Sequence, residues 1–119
     1  MFKYYNPNPY ADKVGDCVVR ALSKALGSDW DTCYCSLCVQ GYDMKDMPSA
    51  NRVWGNLLSK KGFKRNICDE DCTVSEFCED HAAGTYLLAL QGHVVCCIDG
   101  DYYDSWDSGN EEVLYFWER

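Results

Sequence analysis

Between residues 18 and 26 the apolar side chains Val18, Ala21, Leu22, Ala25 and Leu26 recur at i, i+3, i+4, i+7 and i+8, the spacing of one apolar stripe along a helix. Asp16 stands at the N-cap position of that helix, and Gly27 supplies its C-terminal stop. Ser28, with Asp31 three residues on, opens a second helix whose inner face carries Trp30, Tyr34 and Leu37 and whose expected end is near Gly41. Met47-Pro48-Ser49 starts a third, with Val53, Trp54, Leu57 and Leu58 turned inward until Gly62 terminates it. Thr73 and Glu76 form a capping box for a short fourth helix, with Val74, Phe77 and Cys78 on its inner face.

From Gly84 the period changes. Thr85 to Leu90, His93 to Ile98, Tyr102 to Trp106 and Val113 to Trp117 are β-rich segments separated by Gln91-Gly92, Asp99-Gly100 and Asp107-Ser108-Gly109-Asn110. This order predicts an antiparallel meander, and Asp99-Gly100 is the preferred pair for a two-residue type I′ hairpin. Phe63 to Ile67 reads as a short edge strand. The first 14 residues, with three tyrosines and two Asn-Pro steps, read as an ordered non-helical arm. The fold class is therefore α+β, helices first and a small antiparallel sheet after them, in a single domain over residues 1–119.

Composition narrows the function. Hydrophobic residues at 47% and charged residues at 25% match an ordinary folded domain. Nineteen acidic against eleven basic residues leave a net charge of -8, so attraction to phosphate backbones or anionic lipid is absent and neither nucleic acid nor a membrane is an expected partner. No apolar run has signal-peptide or bilayer length, which points to the cytoplasm. There, thiols stay reduced, and cysteines serve as core fillers, metal ligands or nucleophiles.

The chain has nine cysteines, and an odd number cannot all pair with one another. Cys17 falls at the first position of the first helix, where unpaired N–H groups and the helix dipole stabilise a thiolate. A nucleophilic cysteine needs a base, usually a histidine, and a third group to orient the imidazole. Of the two histidines, His81 lies at the end of the fourth helix in a polar stretch, whereas His93 begins a strand. With Asp99-Gly100 as a two-residue turn, Ile98 faces Asp101, Val95 faces Asp104 and His93 faces Trp106. Strand alternation then places His93, Val95, Asp104 and Trp106 on one face, with Asp104 diagonal to His93 at about 7–8 Å between Cα atoms. A register slip of one residue would put Asp107 in place of Asp104. Trp106 is either a wall that shields the pair from water or a plain core aromatic.

Gly15-Asp16-Cys17-Val18-Val19-Arg20-Ala21-Leu22 opening a helix, then Gly92-His93-Val94-Val95 and Asp104-Ser105-Trp106-Asp107 on successive strands, resembles a papain-like cysteine peptidase. The compact layout is most similar to bacteriocin-processing peptidases and to small cysteine-peptidase-like proteins of bacteria and their phages. The resemblance implies a papain-like fold, Cys17 as nucleophile, His93 as general base and then acid, Asp104 as the orienting carboxylate, a peptide or protein substrate, and no cofactor or metal. It also implies an oxyanion hole made by the nucleophile's own N–H and a side-chain amide upstream, usually Gln. No Gln precedes Cys17, so Asn8 and then Asn6 are the candidates.

The expected function is a small cysteine hydrolase, a protease or a peptide or isopeptide deconjugating enzyme. The alternative is a catalytically weak or inactive papain-like scaffold of phage origin that uses its acidic surface as a protein-binding module or inhibitor. The other eight cysteines are expected to be small apolar core residues. Cys33, Cys35 and Cys38 with Cys68, Cys72 and Cys78 leave a zinc site across the two groups as a third reading, although neither group has the spacing of a zinc ribbon.

Overall fold

The computed structural model describes residues 1–119. The apolar stripe folds as α1 (Cys17–Leu26), and Gly27 ends it in the left-handed region at φ 65°. The second helix, α2, spans Trp30–Met44 and is capped by Asp29, whose side chain accepts from the Thr32 N–H, in place of the expected Ser28. It also runs through Gly41 to stop at Lys45. Gly41 is needed for close approach, since a Cβ there would lie 2.7 Å from the Asp46 carbonyl oxygen. The third helix, α3 (Asn51–Lys60), starts later than Met47-Pro48-Ser49 suggests. Asp46 accepts from the Met47 N–H and from Arg52 Nε, which closes a turn ahead of the helix. Its inward residues Val53, Trp54, Leu57 and Leu58 are buried as expected.

Six strands form one mixed sheet in the order β1-β5-β4-β3-β6-β2. They are β1 (Phe2–Tyr4), β2 (Lys64–Asn66), β3 (Thr85–Leu90), β4 (His93–Ile98), β5 (Asp101–Asp104) and β6 (Tyr115–Glu118). The short helix α4 (Val74–Asp80) opens with both halves of the Thr73–Glu76 capping box made. Asp99 and Gly100 both have positive φ, 50° and 85°, and set Ile98 opposite Asp101.

The sheet is not the expected meander. β6 returns past β5 and β4 to pair antiparallel with β3, and β1 adds a parallel edge strand against β5, with Tyr4 opposite Asp104. The reason lies in the segment after Asp104. Ser108 turns inward to be fully buried, and Val113 donates to the Cys72 carbonyl while Leu114 donates to that of Ala89, which carries the chain across the sheet end. β5 therefore stops at Asp104, two residues short of Trp106.

Alternation along β3 and β4 splits the core in two. Leu87, Ala89, Val94 and Cys96 pack with α1, α2 and α3, where Leu22, Leu37, Trp54 and Leu58 are fully buried. Leu88, Leu90, Val95 and Cys97 pack with Val74, Phe77 and Cys78 of α4 on the opposite face. Each fully buried Leu contributes about 1.5–3 kcal/mol, so both layers clamp the central strand β4 and fix where its first residue, His93, stands. No helix is long and apolar enough to cross a membrane.

Candidate active site

Three element ends converge: Cys17 is the first residue of α1, His93 the first of β4 and Asp104 the last of β5. Strand parity groups His93 with Val95 and Cys97, which face α4, whereas Cys17 arrives with α1 on the other face. Their meeting depends on position at the sheet end. His93 Nε2 lies 2.6 Å from Asp104 Oδ2, and Cys17 stands beside the same imidazole in the wall of one cavity, close enough for each to shift the other's ionisation; with Nε2 committed to Asp104, Nδ1 is the ring nitrogen left for the sulfur. The Trp106 ring centre is 4.9 Å from that of His93, although the indole is almost half exposed and sits beyond the strand. Asp107 accepts from Tyr102 Oη at 2.5 Å and from the Gly109 N–H, away from His93. His81 stacks on Phe77 with its Nδ1 at the Phe77 carbonyl, a structural role.

Asp104 has no exposed side-chain surface, so each lone pair needs a donor. Oδ2 receives His93 Nε2 and Ser108 Oγ at 2.7 Å; Oδ1 receives the Ser105 N–H at 2.7 Å and Arg20 Nη2 at 3.1 Å. Ser108 and Arg20 were not foreseen. For Arg20 the signal was present as an acid and a base four residues apart, Asp16 and Arg20, on one helix face. Asp16 occupies the N-cap position but makes no capping bond, contrary to expectation. Its carboxylate instead accepts from Arg20 Nη1 at 2.7 Å and Trp30 Nε1 at 2.9 Å. The first-turn N–H groups of α1 therefore keep their free partial charge next to Cys17.

The electrostatics follow from these contacts. Burial pushes the Cys17 thiol up, but the hydrogen bond and charge of His93, the Val94 N–H and the Arg20 guanidinium outweigh it and hold the thiol below its ordinary value. Burial pushes His93 down, yet its bonds to Asp104 and Cys17 raise it to about 9. Asp104 is depressed in spite of burial, through His93 and Ser108. Both shifts favour a thiolate beside an imidazolium over a neutral pair.

A cavity of about 630 Å³ opens beside Cys17 and His93. Trp30, Tyr34, Leu37, Trp54, Leu90 and Leu114 give it an apolar wall, and its one carboxylate, Asp16, is already neutralised by Arg20. The oxyanion candidates are elsewhere. Asn6 Nδ2 donates to the Asp12 carbonyl and its Oδ1 accepts from the Asn8 N–H, while Asn8 Oδ1 accepts from the Tyr10 N–H, so both amides close the N-terminal arm. Neither lines the cavity, whose only side-chain amide is Asn51.

The remaining cysteines divide unevenly. Cys33, Cys78, Cys96 and Cys97 are buried as expected, but Cys35 is exposed and Cys38, Cys68 and Cys72 are half-buried. No three His, Cys, Asp or Glu side chains are arranged to hold a metal ion, so the two cysteine groups do not assemble the zinc site considered from their spacing. Neither a family model, nor a curated protein, nor a solved structure matches the chain.

Proposed function

We propose that the protein is a small cysteine hydrolase of papain-like architecture that cleaves peptide or isopeptide bonds. The observation that carries this reading is the placement of Cys17 beside the His93–Asp104 hydrogen-bonded pair at the mouth of an apolar cavity. The Cys17 thiolate attacks the carbonyl carbon, forming a C–S bond. His93 Nδ1–H gives its proton to the leaving nitrogen as the C–N bond breaks. The neutral imidazole next takes a proton from water, the hydroxide attacks the thioester, and C–S cleavage releases the acid and restores the thiolate. Asp104 stays ionised and keeps Nε2–H oriented throughout.

The Cys17 N–H is the backbone donor for the tetrahedral oxyanion. The upstream amides Asn6 and Asn8 stay in the N-terminal arm, and loss of one oxyanion donor costs about 2.7–4 kcal/mol of transition-state stabilisation, so turnover is expected to be slow. The absence of an upstream amide from the cavity is the observation favouring a non-catalytic binding module instead. A reducing, cytoplasmic setting belongs to the hydrolase proposal, because all nine thiols are free.

The cavity has no unpaired charge in its wall, which suits an apolar residue beside the cleaved bond. Digestion of a peptide library, with new termini read by mass spectrometry, should give cleavage beside bulky apolar residues. Leu114→Asp, which puts a charge into the cavity wall, should raise KM about tenfold or more, the equivalent of 1.4 kcal/mol, and leave Cys17 reactivity alone. An absence of new termini above the background of a Cys17→Ser control would sink the hydrolase reading.

A further inference from the structure

Arg20 takes no part in the proposed bond-making steps, yet it is one of the least accessible charges in the molecule, with 5% of its side chain exposed. Its Nη1 lies 2.7 Å from Asp16 Oδ1 and its Nη2 3.1 Å from Asp104 Oδ1. The two carboxylates flank the reacting pair from opposite sides: Asp16 is peptide-bonded to Cys17, and Asp104 is hydrogen-bonded to His93. Contacts therefore close a ring, from Cys17 to His93, Asp104, Arg20, Asp16 and back along the chain to Cys17. The ring draws its five residues from α1 and the residue that precedes it, from β4 and from β5.

Stability alone does not explain such a ring. Removing a guanidinium and two carboxylates from water costs more than apolar packing of the same volume, so buried pairs of this kind are weak contributors to stability and are better attested as devices that fix a register. A planar fork spanning two carboxylates is a task for Arg, because the Lys ammonium is a point charge. We infer that Arg20 is a positioning residue: by gripping Asp16 with one nitrogen and Asp104 with the other, it fixes the N-terminus of α1 against the end of β5 and so sets Cys17 against His93. It also offsets two negative charges that would otherwise oppose the thiolate. The inference rests on Cys17 and His93 being the reacting pair.

The test compares Arg20→Lys and Arg20→Met with the parent chain by thermal melting, by the pH profile of Cys17 alkylation with iodoacetamide, and by kcat and KM on a cleaved peptide. Arg20→Lys keeps the charge but loses the double grip. It should melt as a folded protein, keep the acid limb of the alkylation profile and keep KM, while kcat falls about 10- to 100-fold, the scale of a 1 Å misplacement. Arg20→Met should move the acid limb to higher pH as well. Parent-like kcat and alkylation in Arg20→Lys would overturn the inference. Loss of the folded melting transition in Arg20→Lys would do the same, because Arg20 would then be holding the fold and not the pair. If the parent chain cleaves no peptide, the hydrolase reading fails, while the alkylation profiles still decide on Arg20: unchanged profiles in both variants remove it.

Discussion

Replacing Cys17 with Ser is expected to reduce kcat/KM by about 10⁴- to 10⁶-fold, to the level that binding and the oxyanion donor sustain without a nucleophile. The change removes one atom's polarisability and little volume. Cys17 is only half-buried, so the fold should not register it. What disappears is the ionised form. The site holds the Cys17 thiol below its ordinary value through His93, the Val94 N–H and Arg20 in spite of burial. A hydroxyl has no accessible anion near neutral pH, and His93 would have to remove its proton in the transition state. His93, at about 9, is protonated at neutral pH in the parent chain and is set up to donate. Activity against the cleaved peptide at pH 7, with a melting curve as the control for folding, checks this. A Ser variant within tenfold of the parent would mean that Cys17 does not form the covalent intermediate.

Asp104→Ala has the second-largest expected effect, a loss of about 10²- to 10⁴-fold in kcat together with a pH-dependent loss of stability. Burial alone lowers His93, and the Asp104 hydrogen bond is the largest influence raising it to about 9. Without Asp104 the imidazole should titrate well below 9, and the alkaline limb of activity should move down with it. For stability, His93 rises from 6.5 to about 9 on folding, so its contribution is complete below pH 6.5 and is lost as pH climbs through 9. The Asp104 carboxyl is depressed on folding, so its contribution is present above pH 3.8 and is lost as pH falls through the folded value. Both act together at pH 5–6, and there the variant should be weakest relative to the parent. A buried pair broken on one side costs about 3–5 kcal/mol. Arg20 would retain only Asp16. Urea unfolding at pH 5.5 and pH 9.5 measures the difference, which should shrink at the higher pH. Asp104→Asn keeps an acceptor for Nε2–H and should lose less activity. An equal stability loss at both pH values would contradict the ionic role of Asp104.

The helices and the register that brings His93 to Asp104 were legible in the sequence because they are set locally. The α1 stripe, the Thr73–Glu76 capping box and the paired positive φ of Asp99 and Gly100 are decided within four residues of chain. From that hairpin alone, His93 and Asp104 come within reach of each other. The sheet order was not legible. β1 is three residues long and pairs across the whole chain with β5, while β6 departs from the rule that successive strands pair because Ser108 is drawn beneath Asp104. Asp16 misled for a related reason. A carboxylate at an N-cap position has a local choice, the first-turn N–H groups, and a distant one, Arg20 and Trp30; the buried cation won. The Asn6 and Asn8 amides went the other way and stayed in their own turns, since Asn before Pro-containing loops closes local hydrogen bonds readily.

The central claim, that Cys17 is held as a thiolate by His93, is tested most directly by alkylating the intact protein with limiting iodoacetamide from pH 4 to 10 and mapping the labelled residue by mass spectrometry. Cys35, exposed and outside the site, serves as the internal reference thiol. Cys17 should be modified first, well ahead of Cys35, with a rate that rises at a pH below the ordinary thiol range and changes again near pH 9 as His93 loses its proton. If Cys17 reacts no faster than Cys35 and its rate climbs in one step through the ordinary thiol range, the ion pair does not exist and the account fails.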